Sequence, residues 1–119
     1  MSENIVLEKS YKFALRIVRL YKFLCDEKRE YVMSREVLRA GTKLGEHVKR
    51  SQEAASRPTF GHEINTALEY ASATEFWLQL LHDAEYLGHD QFESINNDCA
   101  EMNRLLKSIS RSVDPRTRN

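Results

Sequence analysis

Few side chains here could do acid–base or metal chemistry: His47, His62, His82 and His89, the thiols of Cys25 and Cys99, and a run of carboxylates. Their spacing argues against a reaction centre. A di-metal site in a helical bundle needs two Glu-x-x-His motifs on separate helices plus two further glutamates, and no Glu-x-x-His occurs. Glu85 precedes His89 by one residue too many, and the pair spans Gly88, where a helix should stop. By spacing, His82 and Glu85 share a helical face, but two ligands do not make a site. Cys25 and Cys99 fall on apolar seams, the ordinary place for a small buried thiol. No positioned base or orienting acid accompanies them for nucleophilic work. Gly41 and Gly45 lie inside a helical pattern and match no phosphate-binding loop. The expectation is a protein that is not an enzyme and takes no metal or cofactor, with His47, His62 and His82 at polar or boundary positions.

Charge is the more informative feature. From Pro58 to Asn103 there is no lysine or arginine, yet Glu63, Glu69, Glu75, Asp83, Glu85, Asp90, Glu93, Asp98 and Glu101 all fall there. From Lys9 to Cys25 the opposite holds: Lys9, Lys12, Arg16, Arg19 and Lys22 meet no acid. A net charge of zero hides this polarity. Separated charges suit a molecule that docks copies of itself head to tail, or one that presents a basic face to a polyanion. Lys9, Lys12, Arg16 and Arg19 share one arc of the first helix, Arg35, Arg39 and Lys43 form a second stripe, and Arg104, Lys107 and Arg111 a third. The first two stripes, Lys9, Lys12, Arg16, Arg19, Arg35, Arg39 and Lys43, are the candidate nucleic-acid contacts, since rows of cations neutralise phosphates in a salt-dependent way.

The elements carrying these stripes read as four helices in one domain of residues 1–113, followed by a disordered tail over 114–119. In the first, from about Asn4 to Lys28, Leu7, Tyr11, Ala14, Val18, Tyr21 and Cys25 recur at steps of four and three. A second stripe, Phe13, Ile17, Leu20 and Leu24, lies beside it. Together they cover about half the circumference, wider than the ~100° that one buried face requires. Either the helix is deeply embedded in its own bundle, or one stripe faces the bundle and the other, with Phe13, Ile17, Leu20 and Leu24 as the candidate interface, faces a neighbouring subunit. Ser34 is the expected N-cap of a second helix reaching about Ala55. Gly41 and Gly45 sit one turn apart inside it, where each costs about 1 kcal/mol relative to alanine. A close approach by the small-residue stretch around Ala67 and Ala71 would account for that cost. Ser56 and Pro58 should start a third helix that runs to Leu87, with Gly88 as its left-handed stop. Asp90, with Glu93 in the capping-box position, should open the fourth. Short connections between long helices imply an all-α, antiparallel up-down-up-down four-helix bundle.

Three segments carry a family resemblance: Lys9-Ser-Tyr-Lys-Phe-Ala-Leu-Arg-Ile-Val-Arg-Leu-Tyr, Leu38-Arg-Ala-Gly-Thr-Lys-Leu-Gly and Ala67-Leu-Glu-Tyr-Ala-Ser-Ala-Thr-Glu-Phe-Trp-Leu-Gln-Leu-Leu. Over roughly residues 5–113 the chain resembles the bacterial four-helix-bundle proteins encoded in 23S rRNA intervening sequences. These are sometimes labelled ribosomal proteins, and they are related to the accessory variability determinant of diversity-generating retroelements. The resemblance implies a cytoplasmic homo-oligomer in a five-membered ring and association with RNA or DNA. Through the retroelement relatives it also implies a reverse transcriptase as partner, and it supplies no catalytic residue. The chain departs from the family pattern at His47, where asparagine is common, and in lacking the strong positive charge of the retroelement relatives. A cytoplasmic setting also fits the two cysteines and the absence of a secretory signal or a long apolar run.

Overall fold

The computed structural model describes residues 2–114, with side chains from Ile5 onward. Four α-helices make up this part of the chain: α1 (Ser2–Asp26), α2 (Met33–Gln52), α3 (Arg57–Asp83) and α4 (His89–Val113). Each packs against its sequence neighbours, and α4 returns to α1 to close a square of four. The short connections make successive helices antiparallel, so the fold is the expected up-down-up-down bundle, 49 × 23 × 23 Å in extent. The proposed tail from Asp114 lies, apart from Asp114 itself, outside the described residues. No helix among the described residues is long and apolar enough to cross a membrane.

The core resolves the double stripe of α1 toward the embedded reading, and it corrects the candidate subunit interface. Phe13, Ile17, Leu20 and Leu24 are buried inside the protomer with Leu44, Ile64, Leu78, Met102 and Leu106. They therefore cannot be the face turned to a neighbouring subunit. The other stripe lies between α2 and solvent: Leu7 packs against the core edge, whereas Tyr11 is 70% exposed.

Helix ends show where local signals held. Ser56 caps α3 as expected, its Oγ accepting the Thr59 N–H at 3.2 Å with Pro58 in the first turn. Ser34 does not cap α2. It is buried inside the helix, and the buried carboxylate of Glu30 instead accepts from the N–H groups of Val32, Met33 and Ser34 at 2.7–3.1 Å. A carboxylate is the stronger partner for these orphan donors, because its charge also meets the positive end of the helix dipole.

The α3 stop falls earlier than Gly88. Tyr86 N–H reaches Leu81 O and Glu85 N–H reaches His82 O, with Glu85 at φ 70. This is a Schellman turn in which a glutamate occupies the left-handed position usually given to glycine. Gly88, at φ −68, becomes the N-cap of α4 without any side-chain cap. Asp90 and Glu93 thus fall inside the helix, Asp90 in its first turn, and form no capping box.

The glycines of α2 face α1, not α3. A Cβ at Gly41 would stand 2.7–3.0 Å from Ile17, and one at Gly45 would meet Ser10 O at 3.4 Å and the Ala14 Cβ at 3.6 Å. Ala67 and Ala71 are fully buried in the core, but they are not what the glycines accommodate.

Candidate nucleic-acid interface

Two flanks of α1 diverge in chemistry. Toward α2 it offers Ser10, Ala14 and Ile17 to the glycines. Toward α4 it offers cations, and α4 answers at steps of four and three with one hydroxyl and two acids, Ser94, Asp98 and Glu101, beside its own core seam Ile95, Cys99 and Met102. Lys9 Nζ pairs with Glu101 Oε2 at 2.9 Å, and Arg16 Nη1 with Asp98 Oδ2 at 2.7 Å. The Arg16 guanidinium also donates to Ser94 O at 3.3 Å and to Ser94 Oγ at 3.0 Å. The hydrogen bond and charge of Glu101 hold the Lys9 ammonium above its ordinary 10.5.

The α1/α4 contact is much sparser than the other three in the ring. It leaves a groove of about 370 Å³ whose walls carry Lys9, Lys12, Arg16 and Arg19 with Asp98 and Glu101, over a floor of Phe13 and Met102. A smaller depression of about 250 Å³ continues it past Arg16 and Arg19 to Leu20, Phe23 and Ile95. All four α1 candidates thus converge on one groove. Lys12 and Arg19 form no ion pair or hydrogen bond among the described residues, and both are exposed.

The three α2 candidates do not join them. Arg39 lies 6.0 Å from the ring of Tyr70 on α3, Lys43 pairs with Glu46 at 3.1 Å, and Arg35 donates to the Tyr31 carbonyl. In a ring ordered α1, α2, α3, α4, the α2/α3 side lies opposite the α1/α4 side. Arg39 is therefore turned away from the α1/α4 groove, whereas the charge of Arg35 acts on Tyr21 of α1 and Lys43 pairs within its own helix; the α2 cations make no common surface with those of the groove. Of the third stripe, Arg104 and Lys107 line a broader α3/α4 groove of about 710 Å³, facing Glu69 and Glu75.

His47, His82 and the two cysteines take structural positions, while His62 and His89 are exposed. His47 Nδ1 lies 2.7 Å from Glu63 Oε1, both side chains under one-fifth exposed, and its ring stacks on Tyr70. This cross-helix pair was not anticipated; the only trace in the sequence is a histidine on α2 and an acid on α3, both flanking apolar seams. His82 stacks on Phe92 at 4.2 Å, with its Nδ1 buried, without a hydrogen bond and 3.6 Å from Asp83 Oδ1, while Glu85 is exposed in the turn. No group of three or more histidine, cysteine or acidic residues among the described residues could hold a metal. Burial, with a lesser contribution from the Glu75 charge, pushes the Cys99 thiol up to about 12, so it stays protonated and unreactive. The α4 acids at the groove were also missed as partners of α1. Their spacing alongside Ile95, Cys99 and Met102 was the available signal, but it gains meaning only once α4 is known to lie beside α1.

Residues 2–108 match the family model described as 23S rRNA-intervening sequence protein. Among solved structures, the chain is similar to a protein of unknown function from the S23 ribosomal protein family of Bacteroides thetaiotaomicron. The two are 49% identical over 93% of this chain and 99% of that one, with a TM-score of 0.91. No curated protein matches the chain.

Proposed function

The chain belongs to the family of 23S rRNA-intervening sequence proteins, and from that premise we propose that it acts as a non-enzymatic, homo-oligomeric, nucleic-acid-associated adaptor in the cytoplasm. The observation that carries this reading is the convergence of Lys9, Lys12, Arg16 and Arg19 on the α1/α4 groove. Lys12 and Arg19 are seven residues apart, about 10 Å along the helix. They project from one wall into an open channel, which suits contact with successive phosphates of a strand and gives affinity that falls as salt rises. Arg35, Arg39 and Lys43 would reach nucleic acid only as a separate patch.

Self-association draws support from two further surfaces. The outer face of α1 exposes Tyr11 beside Lys22, with Leu15 at the rim where this face meets the α1/α4 groove. The outer face of α3 exposes Phe76 and Leu80 beside Asp83. These helices occupy diagonal corners of the bundle, so each protomer carries two unlike, complementary patches on opposite sides. Such patches make head-to-tail contacts, which close into a ring when the rotation permits; the ring implied by the family resemblance has five members.

Anisotropy of a fluorescein-labelled single-stranded RNA tests the first part. Binding at low salt should weaken as salt is added, and K12Q/R19Q should weaken it further. No binding at low salt, or unchanged binding by K12Q/R19Q, would refute the phosphate-contact reading. Light scattering tests the second part: Y11S/L15S should reduce the mass to that of a single chain, and an unchanged mass places the contact elsewhere. A competing reading, an interaction scaffold without nucleic acid, is favoured by one observation. Lys9 and Arg16 already have carboxylate partners in their own chain. The same RNA measurement decides between the two.

A further inference from the structure

We propose that Asp98 and Glu101 set the affinity of the α1/α4 groove for phosphodiester anions by occupying two of its four cations from within the chain. The inference rests on the groove being the phosphate-contacting surface, and it adds a control that the family resemblance does not contain.

The geometry is that of internal competition. A carboxylate and a phosphate present the same charged oxygens to an ammonium or a guanidinium, at the same hydrogen-bond distance. Asp98 Oδ2 already holds Arg16 Nη1 at 2.7 Å, and Glu101 Oε2 holds Lys9 Nζ at 2.9 Å. Ser94 supplies two more oxygens to Arg16, so three of the five guanidinium N–H groups already have partners on α4. The pairs are open to displacement, because their side chains are 37–46% exposed. Exposed pairs of this kind bind their partners weakly in water and are screened by salt. A strand entering the groove therefore meets two ready cations, Lys12 and Arg19, and two that must first leave a carboxylate. As it stands the groove carries four cations against two acids; with both acids made neutral amides, all four cations face the strand.

Salt dependence gives the measurable consequence. Each phosphate neutralised on a single strand contributes about 0.7 to the slope of log K against log salt. Releasing Lys9 and Arg16 should steepen that slope by about 1.4. At low salt, D98N/E101Q should bind the labelled single-stranded RNA on the order of tenfold more tightly than the unaltered chain. A DNA strand of the same sequence should show the same gain, since the contact is to phosphate. E69Q/E75Q removes the same charge from the α3/α4 side and should leave the slope unchanged. A thermal melt establishes that D98N/E101Q is folded, and the single variants D98N and E101Q should each give about half the change in slope.

The failures separate cleanly. If K12Q/R19Q weakens binding but D98N/E101Q leaves affinity and slope unaltered, the carboxylates are not competitors and this inference falls while the groove reading stands. An equal gain from E69Q/E75Q would reduce the effect to net charge and also overturn it. If neither the unaltered chain nor D98N/E101Q binds RNA or DNA, the groove reading and the competition fall together.

Discussion

Along α1, the flank toward α2 and the flank toward α4 meet their neighbours through different forces. On the α2 side, Gly41 lets the backbone approach until Ile17 fills the place of a missing Cβ, and the contact is dry. On the α4 side, contacts are few, a groove opens to solvent, and charged side chains bridge the gap. Dispersion and burial act over a few ångströms and reward closeness. Ion pairs span a wider gap but yield little in water. The close side therefore fixes where α1 sits, and the open side is left available for recognition.

The sharpest way to break this contrast is at Ile17. Ile17→Ala removes a fully buried side chain from the glycine seam and should cost about 2–4 kcal/mol in urea unfolding, given the cavity left behind. Gly41→Ala adds a methyl within 2.7–3.0 Å of Ile17. The strain, roughly 1–3 kcal/mol, should exceed the helix-propensity gain of about 1 kcal/mol, leaving a measurable loss. Gly45→Ala meets only ordinary contact distances, so the same propensity gain should leave it neutral or up to about 1 kcal/mol more stable. A Gly45→Ala loss as large as that of Gly41→Ala would show that the two glycines serve one continuous close approach.

On the other flank, Arg16→Gln deletes the Asp98 pair and the Ser94 contacts. With the pair more than one-third exposed, denaturant unfolding should register less than about 1 kcal/mol. A loss comparable to Ile17→Ala would erase the distinction between the two seams. The smallest expected effect is a pH dependence at Lys9. Its folded-state value is raised by Glu101 above the unfolded 10.5. The stabilisation is thus complete below 10.5 and lost as pH climbs through the higher folded value. A slight fall in melting temperature above pH 10.5 should vanish in E101Q.

Much of this fold was legible in the sequence because its signals are local. Ser56 and Pro58 start a helix wherever the rest of the chain lies, since a hydroxyl meeting an amide three residues on needs no distant partner. Other ends misled for an equally local reason: Ser34 and Asp90 are good caps, but the Glu30 carboxylate captured one set of donors and the Schellman turn at Glu85 shifted the start of α4. For the candidate site, the sequence placed Lys9, Lys12, Arg16 and Arg19 on one arc. It showed Asp98 and Glu101 only as members of an acidic run, not as partners of Arg16 and Lys9, because each pair is separated by more than eighty residues of chain.

What the sequence by itself determined was four amphipathic helices, the alternation of their directions, and the segregation of charge along the chain, because periodicity and turn chemistry act between residues a few positions apart. Tertiary structure alone decided which of the two α1 stripes turned inward, that Gly41 and Gly45 receive α1 rather than α3, and that the α1 cations line a groove with α4 in which no α2 cation takes part. Those outcomes depend on the order of helices around the bundle and on each helix's rotation about its own axis. Both are set by how four surfaces pack at once, which no single helix can specify.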